Sequence, residues 1–149
     1  MDKIVAVKGS FPVHKYKIET TNVSKVYYMD EKEVITKVET NNKYRCEFCY
    51  IYEDAFIPMR RIGNAGIVVL SFIMENMKFN NNLITLNAHT IAKSTHLSNV
   101  SVSRGIASLV ENRFIEKGKK PFEYIINYNY IFKGNIVEFL KVLINENNV

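Results

Sequence analysis

The sequence predicts an α+β protein with a β-rich N-terminal region, a helical domain closed by a hairpin, and a C-terminal amphipathic helix. Three observations predict it. Between residues 23 and 52 the chain is rich in Val, Ile and Tyr in short runs broken by polar turns. From Ile62 the apolar spacing becomes helical. Near the end of the helical part, two β-prone runs flank a Gly-Lys-Lys-Pro turn.

The length of 149 residues suits one compact domain, or a small domain with an appendage. Apolar residues make up 47% of the chain, enough to bury a core. No apolar run approaches the roughly 20 residues that span a bilayer, since 65-AGIVVLSFIMENM-77 already meets Glu75 and Asn76. The opening MDKIVAVKGSFPVHK lacks the features of a signal peptide. A cytoplasmic protein is expected, with no membrane partner. The net charge of +5 is unevenly spread. Residues 1–59 hold nine basic and nine acidic residues, whereas residues 60–149 hold eleven and six, a difference of +5. A localised basic excess suits a polyanionic partner.

Taken in order, residues 1–22 read as a strand or loose arm around Gly9 and Pro12. The runs 23-VSKVYYM-29 and 33-EVITKVE-39 form a hairpin around 30-DEK-32, and 44-YRCEFCYIY-52 adds a third strand. Cys46 and Cys49 lie in this strand. One C-x-x-C pair supplies two of the four ligands of a zinc site, so reduced structural thiols are expected, with zinc shared across a dimer as the alternative. Pro58 and Gly63 bracket 59-MRRI-62, the expected boundary. The division is thus 1–59 β-rich, 60–135 helical domain with hairpin, and 136–149 C-terminal helix and tail.

Past the boundary, Ile62, Ala65, Val69, Phe72, Ile73 and Met77 line one face of a helix over 64–79, with Asn64 as its cap and 80-NNN-82 as its end. A short apolar piece, 83-LITL-86, leads to two shorter helices. The first follows an Asn87 cap and the second follows a Ser98 cap. Ala92 is a small contact residue, His96 stands at the turn and tolerates a left-handed conformation, and Leu97 anchors the turn. Val102, Ile106 and Leu109 then face inward. The hairpin 114-FIEKG-118 and 122-FEYIINY-128 follows, with Lys117, Lys119 and Lys120 at its tip. In the final helix, Ile136, Phe139, Leu140 and Leu143 form a stripe that Val137 and Ile144 widen. That helix is a candidate dimer interface or packs on its own domain.

Three helices and a basic hairpin in this order are the plan of a winged helix-turn-helix. The outward face of the Ser98 helix carries Ser98, Asn99, Val100, Ser101, Ser103 and Arg104. Short side chains let a helix N-terminus approach DNA closely, and its free amides favour phosphate. Asn can pair with adenine, and Arg104 can pair with guanine or grip phosphate. Lys117, Lys119 and Lys120 suit the wing's approach to the backbone or minor groove. An amphipathic core helix beside a solvated loop is the plainer alternative.

At this point the chain resembles the RepL family of small plasmid replication proteins from Gram-positive bacteria. The resemblance covers residues 24–135 and rests on VYYMDEKEVITKV, GNAGIVVLSFIMENMKFNNN, TIAKSTHLSNVSVSRGIASLVENRFIEK and 124-YIINYNYIFKGN-135. The last is similar to the family's "INP…FKG" ending, with Tyr128 where Pro is usual and Phe132-Lys133-Gly134 intact. His96 stands where Gly is usual. The resemblance implies an initiator that binds double-stranded DNA at a plasmid origin and recruits host replication proteins. A homodimer is expected because one module reads too few base pairs. A winged-helix transcriptional regulator, or an accessory protein for plasmid transfer, is the alternative on the same fold. No enzyme, cofactor or metal is expected. The three His stand far apart at 14, 89 and 96, and no phosphate-binding G-x-x-x-x-G-K-[ST] loop occurs.

Overall fold

The computed structural model describes residues 3–12 and 49–147. The expected hairpin over 23–39, the first part of the third strand and Cys46 lie outside the described residues. That third strand is present in its last part as β1, Cys49–Ile51. A single 3-10 turn, Glu53–Ala55, and the short helix α1, Phe56–Met59, lead to α2, Gly63–Asn76. Then come β2, Leu83–Thr85, the helices α3, Ala88–Thr95, and α4, Asn99–Glu111, and the strands β3, Ile115–Lys117, and β4, Glu123–Ile126. The chain closes with β5, Ile131–Lys133, and α5, Ile136–Asn147. The α+β class is as expected, and the order of elements is compatible with a winged helix.

Two details of α2 differ from the reading of the sequence. Asn64 does not cap it: the helix starts at Gly63 after Ile62, with no side-chain cap bond. The chain enters through backbone turns instead, with Arg60 N donating to Ile57 O and Arg61 N to Pro58 O. The buried face is Ile62, Gly66, Val69, Leu70, Ile73 and Met77, while Ala65 and Phe72 are half-buried.

The short run LITL is β2, the edge of a three-stranded antiparallel sheet ordered β2-β4-β3. Leu83 pairs with Ile125, and Ile115 pairs with Ile126. A second, two-stranded sheet joins β1 to β5, with Tyr50 opposite Phe132. Alternation along β4 and β5 then divides the core. Ile126 and Ile131 face one cluster with α2, α3 and α4. Ile125 and Phe132 belong to a second cluster with Phe11, Tyr128, Phe139, Leu140 and Leu143. Successive strand residues point to opposite faces, so these short strands serve as a wall between two cores. The apolar stripe of α5 is therefore used on its own domain. Phe139 packs on Tyr128 and Phe132 at 5.7 and 4.7 Å between ring centroids.

Buried asparagines tie the pieces together. Asn82 is fully buried. Its Oδ1 accepts from Val7 N at 2.8 Å, and its Nδ2 donates to Val7 O and Ile126 O at 2.7 and 3.0 Å. Asn80 Oδ1 accepts from Asn135 N at 2.7 Å. Gly134 beside it has φ +131°, and a Cβ there would land on Asn80, so only glycine fits. Residues 3–12 thus run as a strap from Asn80–Asn82 to the base of the wing. There Ser10 N and Oγ donate to Glu116 Oε2, and the Arg113 guanidinium lies 5.5 Å from the Phe11 ring centroid.

Helices α2 and α4 cross in close contact. An ideal Cβ on Gly105 would stand 2.7 Å from Ala65 O and 2.9 Å from Val69 Cγ2. Ala92, the small contact residue expected where α3 and α4 approach, is half-buried against the same core. Gly105 plays the corresponding part between α2 and α4. Replacing it by Val should destabilise the fold by about 1–3 kcal/mol through overpacking, despite the gain in helix propensity, and lower the urea midpoint. Asn82→Ala should cost about 2–3 kcal/mol in the same measurement, because it strands the buried Ile126 carbonyl and the partly buried backbone groups of Val7.

Candidate nucleic-acid interface

The helix-turn-helix is set by local chemistry. Asn87 has an extended backbone, and its Oδ1 accepts from His89 N and Thr90 N at 2.9 and 3.3 Å, which starts α3. Ile91 is fully buried and anchors α3 to the core. Thr95 Oγ1 donates back to Ile91 O in the last turn. His96 then takes the left-handed conformation expected of it, with φ 62° and ψ 17°. That single residue turns the chain from α3 to α4. Leu97 is half-buried against the core. Ser98 returns to extended geometry, and its Oγ accepts from Ser101 N at 3.1 Å.

Val102, Ile106 and Leu109 are buried as expected, and Phe114 and Ile115 carry the core into the wing. The opposite side of α4 is open. Asn99, Ser103 and Arg104 are exposed, and Val100 is 60% exposed. Ser101 is half-buried, and its hydroxyl accepts from Ser98 Oγ at 3.0 Å. Ser98 and Ser101 are therefore engaged in holding the helix start, while Asn99, Val100, Ser103 and Arg104 present free chemistry. Exposed Ala107 extends that face by one turn. The face expected from the sequence ends at Arg104, and the i+3, i+4 and i+7 spacing from Val100 carries it on to Ala107.

The wing is a tight hairpin. Gly118 N donates to Glu123 O at 2.8 Å, Glu123 N donates to Lys120 O, and the Glu123 carboxylate accepts from Lys119 N. Lys117, Lys119 and Lys120 are all exposed on it. None of these three, nor Arg104, joins an ion pair among the described residues. Phe122 also sits at the tip, 59% exposed and with φ 62°. The sequence pattern puts it in the returning strand. Its backbone has the left-handed conformation of the turn, and β4 begins at Glu123, although the Phe122 carbonyl still accepts from Leu86 N at 2.8 Å.

Among the described residues, no group of acidic, His or Cys side chains could hold a metal ion, and no helix is long and apolar enough to cross a membrane. Burial pushes the Cys49 thiol above its usual range, and Lys133 pulls it down by less. Its Sγ lies 3.8 Å from Met77 Sδ. A protonated thiol against a thioether is a packing group, poorly suited to nucleophilic chemistry.

The profile of the Firmicute plasmid replication proteins, RepL, matches residues 13–149. A curated protein of Zymomonas mobilis subsp. mobilis, described only as a 20.9 kDa protein, is 27% identical over 107 residues. The alignment takes in 65% of this chain and 58% of that protein, so the chain spans little more than half the length of this relative. No solved structure matches.

The start of α4 hangs on one hydroxyl. Ser98→Ala should lower the unfolding free energy by about 1 kcal/mol in urea titrations, whereas Ser98→Asp, which can accept the same amide, should hold it near that of the parent.

Proposed function

We propose, from the premise that the chain belongs to the RepL family of Firmicute plasmid replication proteins, that it binds double-stranded DNA at a plasmid origin and initiates replication there. One observation carries the reading. The capped N-terminal half of α4 has a buried apolar side and an open side of Asn99, Val100, Ser103 and Arg104, followed closely by a lysine-tipped wing. A helix of this kind enters the major groove with its N-terminal residues at the base edges. Asn99 is suited to adenine, Arg104 to guanine or phosphate, and the Val100 methyls to a thymine methyl. The lysines of the wing supply sequence-independent attraction to the backbone.

In this reading the protein carries no catalytic step. It marks a site in the cytoplasm, and host replication proteins act on the DNA it has marked. Two copies bind as a dimer on half-sites about one helical turn apart, which gives the site length that one module lacks.

The test is titration of labelled duplexes from the DNA around its own gene against scrambled duplexes of the same composition. Arg104→Ala should weaken binding to the preferred duplex by about 1–3 kcal/mol and reduce the preference. Lys119→Ala with Lys120→Ala should weaken both duplexes alike and flatten the dependence on salt. Equal affinity of the parent protein for both duplexes would sink the origin-specific reading.

A further inference from the structure

The tip of the wing carries an aromatic ring that the protein itself hardly uses. Gly118 N donates to Glu123 O at 2.8 Å, and the loop beyond that bond is Lys119, Lys120, Pro121 and Phe122, all exposed. The Phe122 ring is 59% exposed and meets no other aromatic ring among the described residues. A single exposed apolar residue is ordinary on a protein surface. This one also sits at φ 62°, in the left-handed region that a bulky residue rarely adopts. Glycine would take that conformation without the steric cost. A strained backbone at a turn where the ring gains little burial points to a use outside the protein.

The ring is mounted on a fixed backbone. Phe122 O accepts from Leu86 N at 2.8 Å, which ties the loop to the residue just before the Asn87 cap. Glu123 N donates to Lys120 O at 3.1 Å, and Lys119 N donates to Glu123 Oε1 at 3.2 Å. Pro121 has a fixed φ and no N–H to leave unpaired when water is expelled from the tip. The surrounding charge has one sign on its outer side. Lys117, Lys119 and Lys120 are exposed and form no ion pair among the described residues. The two carboxylates of the hairpin are turned to backbone and hydroxyl donors, Glu123 to Lys119 N and Glu116 to Ser10 N and Oγ. An apolar protein groove that took the ring would have to strip water from these ammonium groups. A duplex offers phosphates to the lysines and base faces to the ring.

We infer that Phe122 is a wedge, whose ring enters between two adjacent base pairs from the minor groove beside the site that α4 reads, unstacks that step and bends the duplex. The inference rests on the reading of α4 and the wing as the DNA-binding surface. Apolar side chains inserted in this way kink DNA by roughly 20–90° toward the major groove. The cost of unstacking depends on the step, and pyrimidine–purine steps such as TA open most easily. Phe122 therefore adds a preference for a flexible step outside the bases that α4 touches. It also leaves one step of the bound duplex already unstacked, a starting point for strand separation at an origin.

The experiment uses the full chain and its preferred duplex, with dyes at the two ends to report bending by energy transfer. In parallel, 2-aminopurine is moved position by position along the flank, since its emission rises when it is unstacked. The parent should shorten the end-to-end distance and brighten 2-aminopurine at one step. Phe122→Gly should still bind the duplex, and lose both signals together. Phe122→Leu, which keeps an apolar wedge, should retain them. Phe122→Gly should melt within a few degrees of the parent, because glycine relieves the left-handed strain. A parent that binds its duplex straight and fully stacked overturns the inference, and so does a Gly variant that bends and unstacks DNA as the parent does. A marked drop in the melting temperature of the Gly variant would assign the ring to packing and overturn it too. All three outcomes leave the reading of α4 intact. A parent protein that binds no duplex removes that reading, and the wedge falls with it.

Discussion

The contact of Gly105 with Ala65 is the constraint on which the rest of the helical domain depends. Helices pack with their axes about 8–10 Å apart when side chains separate them, and closer when one of them has none. The absence of a side chain at Gly105 lets α4 settle directly on the backbone of α2. That approach brings Ser108 to the Ile62 carbonyl and turns Val102 and Leu109 fully inward. A helix that is half buried in this way has only one side left to show. The polar residues Asn99, Ser103 and Arg104 occupy it because every other side is packed.

The second organising element is a set of asparagines. An Asn side chain offers both a donor and an acceptor, so it can complete backbone groups where a sheet edge or a helix end leaves them open. Asn82 does this between the N-terminal strap and β4, and Asn127 does it at the base of the wing, where its Nδ2 donates to Arg113 O. Asn135 starts α5 by accepting from Val137 N and Glu138 N. The segment 126-INYNYIFKG-134 is therefore a joint in the architecture. Asn127 is buried in it, Phe132 lies in the second core, and Gly134 makes room for Asn80. Tyr128, in the place where the family resemblance leads one to expect Pro, is fully buried, and its hydroxyl donates to Phe11 O at 3.0 Å. The tyrosine thus helps hold the N-terminal strap, a role that proline could not fill.

Legibility in the sequence followed the range of the interactions. The helix-turn-helix could be read almost to the residue, because Asn87, His96 and Ser98 act on backbone groups within a few positions of themselves. The wing was legible for the same reason: β3 and β4 are joined by a short polar turn. The pairing of β1 with β5 was not, since Tyr50 and Phe132 are distant in sequence and nothing local joins them. The LITL run is too short to show a period, so its pairing with β4 had no signature. Asn80 and Asn82 looked like turn residues in a polar run, and only the folded chain gives them partners from both ends of the sequence.

The central claim is that the open side of α4 and the tip of the wing are where DNA lies. Amide hydrogen exchange of the full chain, with and without its preferred duplex, tests this directly at the level of segments. Slowed exchange is expected, concentrated in residues 96–104 and 117–122. Protection confined to α5 and the N-terminal strap, with the α4 segment unchanged, would contradict it.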